Sequence, residues 1–177
     1  MRPFRILTAA LAAVAMLGGV PLAGAATVAG SAGGGSVDLS HGWGSAKACL
    51  VWTQGGVVEC FATAEELAAA ESQLRAAAAP LAGGVVPNAS CNSDVRLFSG
   101  ASYTGLELDI WDVGYWVNLS AYGFANLTVS FINGGCQSYL AKGPNGGVAW
   151  YPNSGPWVAV ANMGLYWNYT LESVYVS

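Results

Sequence analysis

The chain has 177 residues, of which 54% are apolar and only 9% charged, with a formal net charge of −4. So few cations cannot neutralise a run of phosphates, which excludes nucleic acid and anionic lipid from the expected partners. Four cysteines in a chain of this apolar content point to a disulfide-stabilised globular protein rather than a disordered one.

In chain order, Met1 to Arg5 carries two arginines, Ile6 to Leu17 is apolar throughout, and Ala23-Gly24-Ala25 supplies small residues for a peptidase. This pattern predicts a signal peptide over residues 1–25 and a secreted product. The apolar run is too short to span a hydrocarbon core of about 30 Å stably. After cleavage no membrane contact is expected, and Lys47, Arg75, Arg96 and Lys142 remain as the basic residues. Residues 26–48 are rich in Gly, Ser and Ala without an apolar period, and read as a flexible leader. The only histidine, His41, falls there, a poor position for a general base.

Residues 49–88 predict a hairpin and one helix. Cys49-Leu50-Val51-Trp52 and Val57-Val58-Glu59-Cys60 flank the turn signal Thr53-Gln54-Gly55-Gly56, which sets Trp52 opposite Val57 and Cys49 opposite Cys60. A disulfide Cys49–Cys60 leaves Cys91 to pair with Cys136. No CxxC spacing suggests metal or redox chemistry. Thr63 and Glu66 form a capping-box signature, Ala64 to Ala79 is full of strong helix formers, and Pro80 stops the run. A helix this short must dock or fray, so the segment is either a pro-segment or a cap on the C-terminal half of the chain.

From Cys91 onward Ala gives way to Tyr, Trp, Asn and Gly, and short β-prone runs such as 94–98, 106–111, 127–132 and 172–176 predict an all-β sandwich. Laid on itself at an offset of 41, the segment aligns Phe98 with Tyr139, Gly105 with Gly146, Gly114 with Gly155, Trp116 with Trp157 and Gly123 with Gly164. A two-residue insertion then matches Phe124 to Trp167 and Ser130 to Ser173. The segment is an internal duplication, with repeats 91–135 and 136–177.

Phe98-x4-Tyr103-x-Gly105, Trp116-Val117-Asn118-Leu119, Tyr122-Gly123-Phe124 and Ser130 succeed one another in the first repeat, and Tyr139-x4-Pro144-x-Gly146 opens the second. In this the segment resembles the βγ-crystallin family. The resemblance implies a sandwich of two Greek-key repeats in which glycines at positive φ allow a folded-over hairpin and paired aromatics pack on it. It also implies calcium stretches at Ala125-Asn126-Leu127-Thr128-Val129-Ser130 and Asn168-Tyr169-Thr170-Leu171-Glu172-Ser173. Both depart from the family pattern. Asn126, Thr128, Asn168, Thr170 and Glu172 remain as weak ligand candidates, so no cofactor is required and any calcium binding is expected to be weak.

No catalytic set assembles. Asp109 and Asp112 flank Trp111, but two loop acids read as a solvated turn rather than an acid–base pair. Trp116, Trp157, Phe124 and Trp167 are expected in the core. Trp111, Tyr115, Trp150 and Tyr151, near loop glycines and prolines, are candidates for an exposed aromatic platform. The loops containing Pro144, Asn145 and Asn153 are the natural variable surface. The expectation is a non-catalytic binding module. Some secreted βγ-crystallin-like proteins inhibit peptidases, which makes an extracellular protease one expected partner, with a cell-wall glycan or a calcium-stabilised structural role as alternatives.

Overall fold

The structure is a computed structural model that describes residues 27–30, 35–39, 42–78 and 94–177. The expected signal peptide, His41 and Cys91 lie outside those residues. Among the described residues, no helix is long and apolar enough to cross a membrane.

Strands β1 (Thr27–Gly30) and β2 (Gly35–Asp38) pair antiparallel and precede the hairpin of β3 (Ala48–Trp52) and β4 (Val57–Phe61). The hairpin has the expected register, with Cys49 opposite Cys60, and these two cysteines are disulfide-bonded. Cys136 is also in a disulfide, and its expected partner, Cys91, lies outside the described residues. Helix α1 (Ala64–Ala78) starts where the capping signature places it. Thr63 Oγ1 accepts the Glu66 N–H at 3.2 Å, and the Glu66 carboxylate accepts the Ala62 N–H at 2.9 Å.

Residues 94–177 supply eight strands: β5 (Val95–Gly100), β6 (Thr104–Ile110), β7 (Trp116–Asn118), β8 (Ser130–Asn133), β9 (Ser138–Lys142), β10 (Ala149–Trp150), β11 (Ala159–Val160) and β12 (Ser173–Val176). One sheet runs β11-β8-β5-β6 and continues into β3-β4; the other runs β10-β9-β12-β7. Each repeat thus lends its third strand to the other repeat's sheet, and neither half can close alone. Between the sheets lie Leu97, Leu108, Ile110 and Phe131 facing Val117, Leu140, Val174 and Val176, all buried. The all-β two-sheet sandwich is the expected fold class.

Strand β3 runs parallel to β6, from Ala48 opposite Glu107 to Val51 opposite Ile110, so the hairpin covers an edge the sandwich would otherwise expose. Alternation along β3 sends Cys49 and Val51 into the main core, and Ala48 and Leu50 to the outer face under Leu67 of α1. Leu39 and Trp43 pack against the sandwich and are buried. The Trp43 ring lies 5.2 Å from Phe124, and its indole N–H donates to the Tyr122 carbonyl at 2.7 Å. Gly123 makes this approach feasible, because a Cβ there would meet the Leu39 carbonyl oxygen at 2.2 Å. Part of the expected leader over 26–48 is thus packed on the sandwich, at Leu39 and Trp43. Two apolar side chains in a Gly- and Ser-rich background leave no periodic signature, yet both Leu39 and Trp43 are buried.

The repeat offset also differs from expectation. Phe98 pairs with Ser130 as Ala141 pairs with Ser173, and Leu97 with Phe131 as Leu140 with Val174, so the halves correspond at 43 residues. The left-handed positions recur at the same offset: Ser102 and Asn145, Gly105 and Val148, Gly114 and Trp157, Asn126 and Tyr169. Phe98 corresponds to Ala141 rather than Tyr139, and Trp116 to Ala159 rather than Trp157. Glycines and aromatics recur two residues early in the second half. Matching by residue type finds 41, whereas hydrogen-bond register counts every residue.

Candidate binding site

Two surface features of the second repeat are built by side chains that the sandwich positions. The first is the loop between β10 and β11. Asn133, at the end of β8 and buried, donates its side-chain amide to the Ser154 carbonyl at 2.5 Å and the Gly155 carbonyl at 2.8 Å. The Asn133 side-chain oxygen accepts from the Ser138 hydroxyl at 2.6 Å, and the Ser154 hydroxyl donates to the Ser138 carbonyl at 2.9 Å. The Gln137 amide adds a bond to the Ser154 carbonyl at 3.2 Å. A fully satisfied buried network of this kind rigidifies the backbone it holds. Pro152, Asn153, Pro156 and Trp157 are exposed in front of it. Trp157 is 70% exposed and sits at φ +60, where the first repeat has Gly114. Sequence reasoning assigned Trp157 to the core. The two-residue shift in register carries it to the loop instead.

The second feature is an aromatic basin on the outer face of the four-stranded sheet. Tyr139, Tyr175 and Trp116 stand directly opposite one another across β9, β12 and β7, and Trp150 of β10 closes the row. Neighbouring centroids are 5.8 Å apart for Trp116–Trp150, 5.2 Å for Trp150–Tyr139, 6.0 Å for Tyr139–Tyr175 and 5.6 Å for Tyr175–Trp116, with ring planes inclined by 47–59°. With Ser177 they line a depression of about 330 Å³. The Trp150 indole N–H is anchored on the Gly146 carbonyl at 2.8 Å. The Trp116 indole fills the space above Gly146, where a Cβ would meet it at 2.3 Å. In the first repeat the position corresponding to Gly146 is Tyr103, which packs on Phe98 at 5.7 Å. The second repeat lacks that pair, and a tryptophan from the first repeat takes the vacated place.

The aromatics expected to form a platform separate accordingly. Trp150 is exposed and belongs to the basin. Tyr115 is exposed, its hydroxyl 2.6 Å from Thr53 Oγ1. Trp111 is buried, under α1 with the Arg75 guanidinium 4.2 Å from its ring, and is no surface residue. Tyr151 turns inward between Phe131 at 5.4 Å and Trp167 at 5.2 Å. Pro144 and Asn145 are exposed, with Asn145 Oδ1 accepting from the Asn118 side chain at 2.9 Å. Trp116 and Tyr139 were missed as surface residues because only cross-strand pairing of β7, β9 and β12 brings them together.

The acids flanking Trp111 do not form a reactive pair. Asp112 is buried and caps the turn after β3, accepting from the Thr53 and Gln54 N–H groups at 3.1 and 3.0 Å. Asp109 is buried beneath α1, where burial first and the facing Glu71 second hold its carboxyl well above the usual range.

The calcium candidates scatter. Thr170 Oγ1 donates to the Trp167 carbonyl at 2.9 Å, Asn168 donates to Asn162 Oδ1 at 3.0 Å, and Asn126 reaches Glu172 Oε1 at 3.5 Å. Thr128 Oγ1 and Asn168 Oδ1 are buried without a donor, Glu172 is the sole carboxylate of the two stretches, and Val129 offers no side-chain oxygen toward the six to eight oxygens calcium needs. Among the described residues no group of three or more His, Cys, Asp or Glu side chains is placed to hold a metal.

The interlocked strand order, the left-handed turns recurring at 43 residues and the serine in each repeat that ties down its own hairpin define a βγ-crystallin-like fold. In each repeat that serine, Ser130 or Ser173, accepts from the backbone of Tyr103 or Gly146 and donates to the carbonyl of Gly100 or Gly143. Among solved structures, the chain is similar to a βγ-crystallin from Ciona intestinalis, with 17% identity, coverage of 48% of this chain and 99% of that one, and a TM-score of 0.39. A mutant βγ-crystallin domain from Clostridium beijerinckii matches with 15% identity, coverage of 47% and 95%, and a TM-score of 0.40. No protein-family model matches the sequence, and no curated protein matches it.

Proposed function

We propose that the protein is a secreted, non-catalytic binding module that engages a protein partner through the loop 152–157, and that a secreted peptidase is the partner for which such a loop is suited. The observation behind this reading is the Asn133 amide clamped on two successive loop carbonyls, at 2.5 and 2.8 Å, behind an exposed tryptophan. A loop held rigid before binding loses little entropy when it docks. Tryptophan is among the residues that most often dominate an interface, and backbone strain at an exposed residue is a known accompaniment of function. The disulfides and the expected signal peptide support an extracellular setting.

The test is a panel of secreted proteases of each mechanistic class, assayed with the mature protein in excess. Inhibition of at least one class is expected, weakened by Trp157→Ala and by Asn133→Ala. Undiminished activity of every class would refute the inhibitor reading.

A further inference from the structure

We propose that the basin of Trp116, Tyr139, Trp150 and Tyr175 is a site for a quaternary ammonium group, the trimethylammonium head of a choline-type ligand. It lies on the outer face of the four-stranded sheet and shares no residue with the loop 152–157, so it stands independently of the reading above. The four centroids form a closed quadrilateral with sides of 5.2–6.0 Å, so a cation seated over its middle lies within the ~6 Å over which each ring face attracts it. With neighbouring planes inclined by 47–59°, the rings surround a depression rather than lying in one plane.

The polar inventory favours the same ligand. Among the described residues no charged side chain lines the basin, and the Trp150 N–H is already spent on Gly146. A methylated ammonium needs no hydrogen bond, whereas a sugar would depend on the hydroxyls of Tyr139, Tyr175 and Ser177, the last already donating to the Gln137 carbonyl at 3.1 Å. The nearest cation along the sheet is engaged elsewhere. Lys142, on β9 with Tyr139, donates to the Tyr166 carbonyl and lies 4.5 Å from the Trp167 ring, which packs on inward-facing Tyr151. The acid excess of the chain, a formal charge of −4, favours the approach of a cation over that of an anion.

The corresponding positions of the first repeat show that this surface is particular to the second sheet. Where β9 and β10 carry Tyr139 and Trp150, β5 and β6 carry Arg96 and Glu107, joined in a salt bridge with Nε 2.8 Å from Oε1. The first sheet's outer face is occupied by α1; the second sheet's equivalent ion pair has been replaced by two rings.

Choline chloride titrated into the mature protein at constant ionic strength, followed by tryptophan fluorescence, tests the assignment. Saturable binding is expected, weaker by about tenfold or more for the uncharged isostere 3,3-dimethylbutan-1-ol. Trp150→Ala and Tyr139→Leu should each weaken choline about tenfold, the second keeping the apolar area but removing the ring face, while Trp157→Ala leaves it unchanged. Sedimentation with phosphatidylcholine vesicles separates sources: Trp150-dependent capture points to a headgroup on a surface, and binding of free choline alone to a small solute, either of which supports the site. Equal affinity for the uncharged isostere, or saturable binding of N-acetylglucosamine oligomers with none of choline, would overturn it.

Discussion

Val148 carries a β-branched side chain at φ +67 and is 93% exposed, at the position where the first repeat has Gly105. An L-residue in this region costs roughly 1–2 kcal/mol, and an exposed valine gains nothing by packing to offset it. Val148→Gly should therefore raise stability by about 1 kcal/mol, read as a higher denaturant midpoint with unchanged slope. Gly146→Ala should act oppositely, since φ is +78 and the added carbon would strike the Trp116 ring at 2.3 Å. A loss of about 1–3 kcal/mol and a shifted tryptophan emission are expected. Asn133→Ala strips two loop carbonyls and the Ser138 hydroxyl of a buried partner, which should cost about 1–3 kcal/mol in chemical denaturation.

Helix α1 is held on the six-stranded sheet by Leu67 against Ala48, Leu50, Phe61 and Trp111, and by a group of ionisable side chains below it. Arg75 of the helix lies 3.7 Å from Asp94, while Arg96 is engaged by Glu107. Asp109 has neither oxygen supplied with a donor, and Glu71 of the helix faces it. Two carboxylates in such contact hold together only if a proton is shared. Burial and Glu71 accordingly hold the Asp109 carboxyl well above its usual range; burial also raises Asp94 and Glu107, against the lowering by Arg75 and Arg96. The proton is bound when the helix is docked and released when it lifts. Docking is thus complete in acid, below the ordinary carboxylate range, and is lost as pH rises through the raised value. Hydrogen exchange corrected for intrinsic rates should show α1 protection falling by up to about tenfold per pH unit in that window, with β5 and β9 unaffected. Asp109→Asn, which supplies a donor to Glu71 at every pH, should flatten the profile.

At the scale of the whole molecule, the sandwich is closed by the exchange of β7 and β11 and by the apolar plug of Leu39 and Trp43. Its melting temperature should differ by no more than about 1 °C between millimolar calcium and chelator, because a weakly held ligand adds little to stability. Much of this architecture was legible from residue order. The register of Cys49 with Cys60, the Thr63 cap, the all-β duplication and the hairpin aromatics Phe98 and Tyr103 depend on interactions between residues close in the chain, and those leave patterns in sequence. The binding surfaces did not. Asn133 meets Ser154 and Gly155 across a turn whose letters announce only flexibility, and Trp116 meets Tyr175 and Tyr139 only because β7 crosses into the other repeat's sheet. The sequence by itself determined the kind of fold, since local hydrogen bonding and apolar spacing select it. Which tryptophans face water, and that the offset of 43 holds from the first strand of each repeat, were decided only by long-range pairing between strands, because the partner strand, rather than the neighbours in the chain, sets the face on which each side chain emerges.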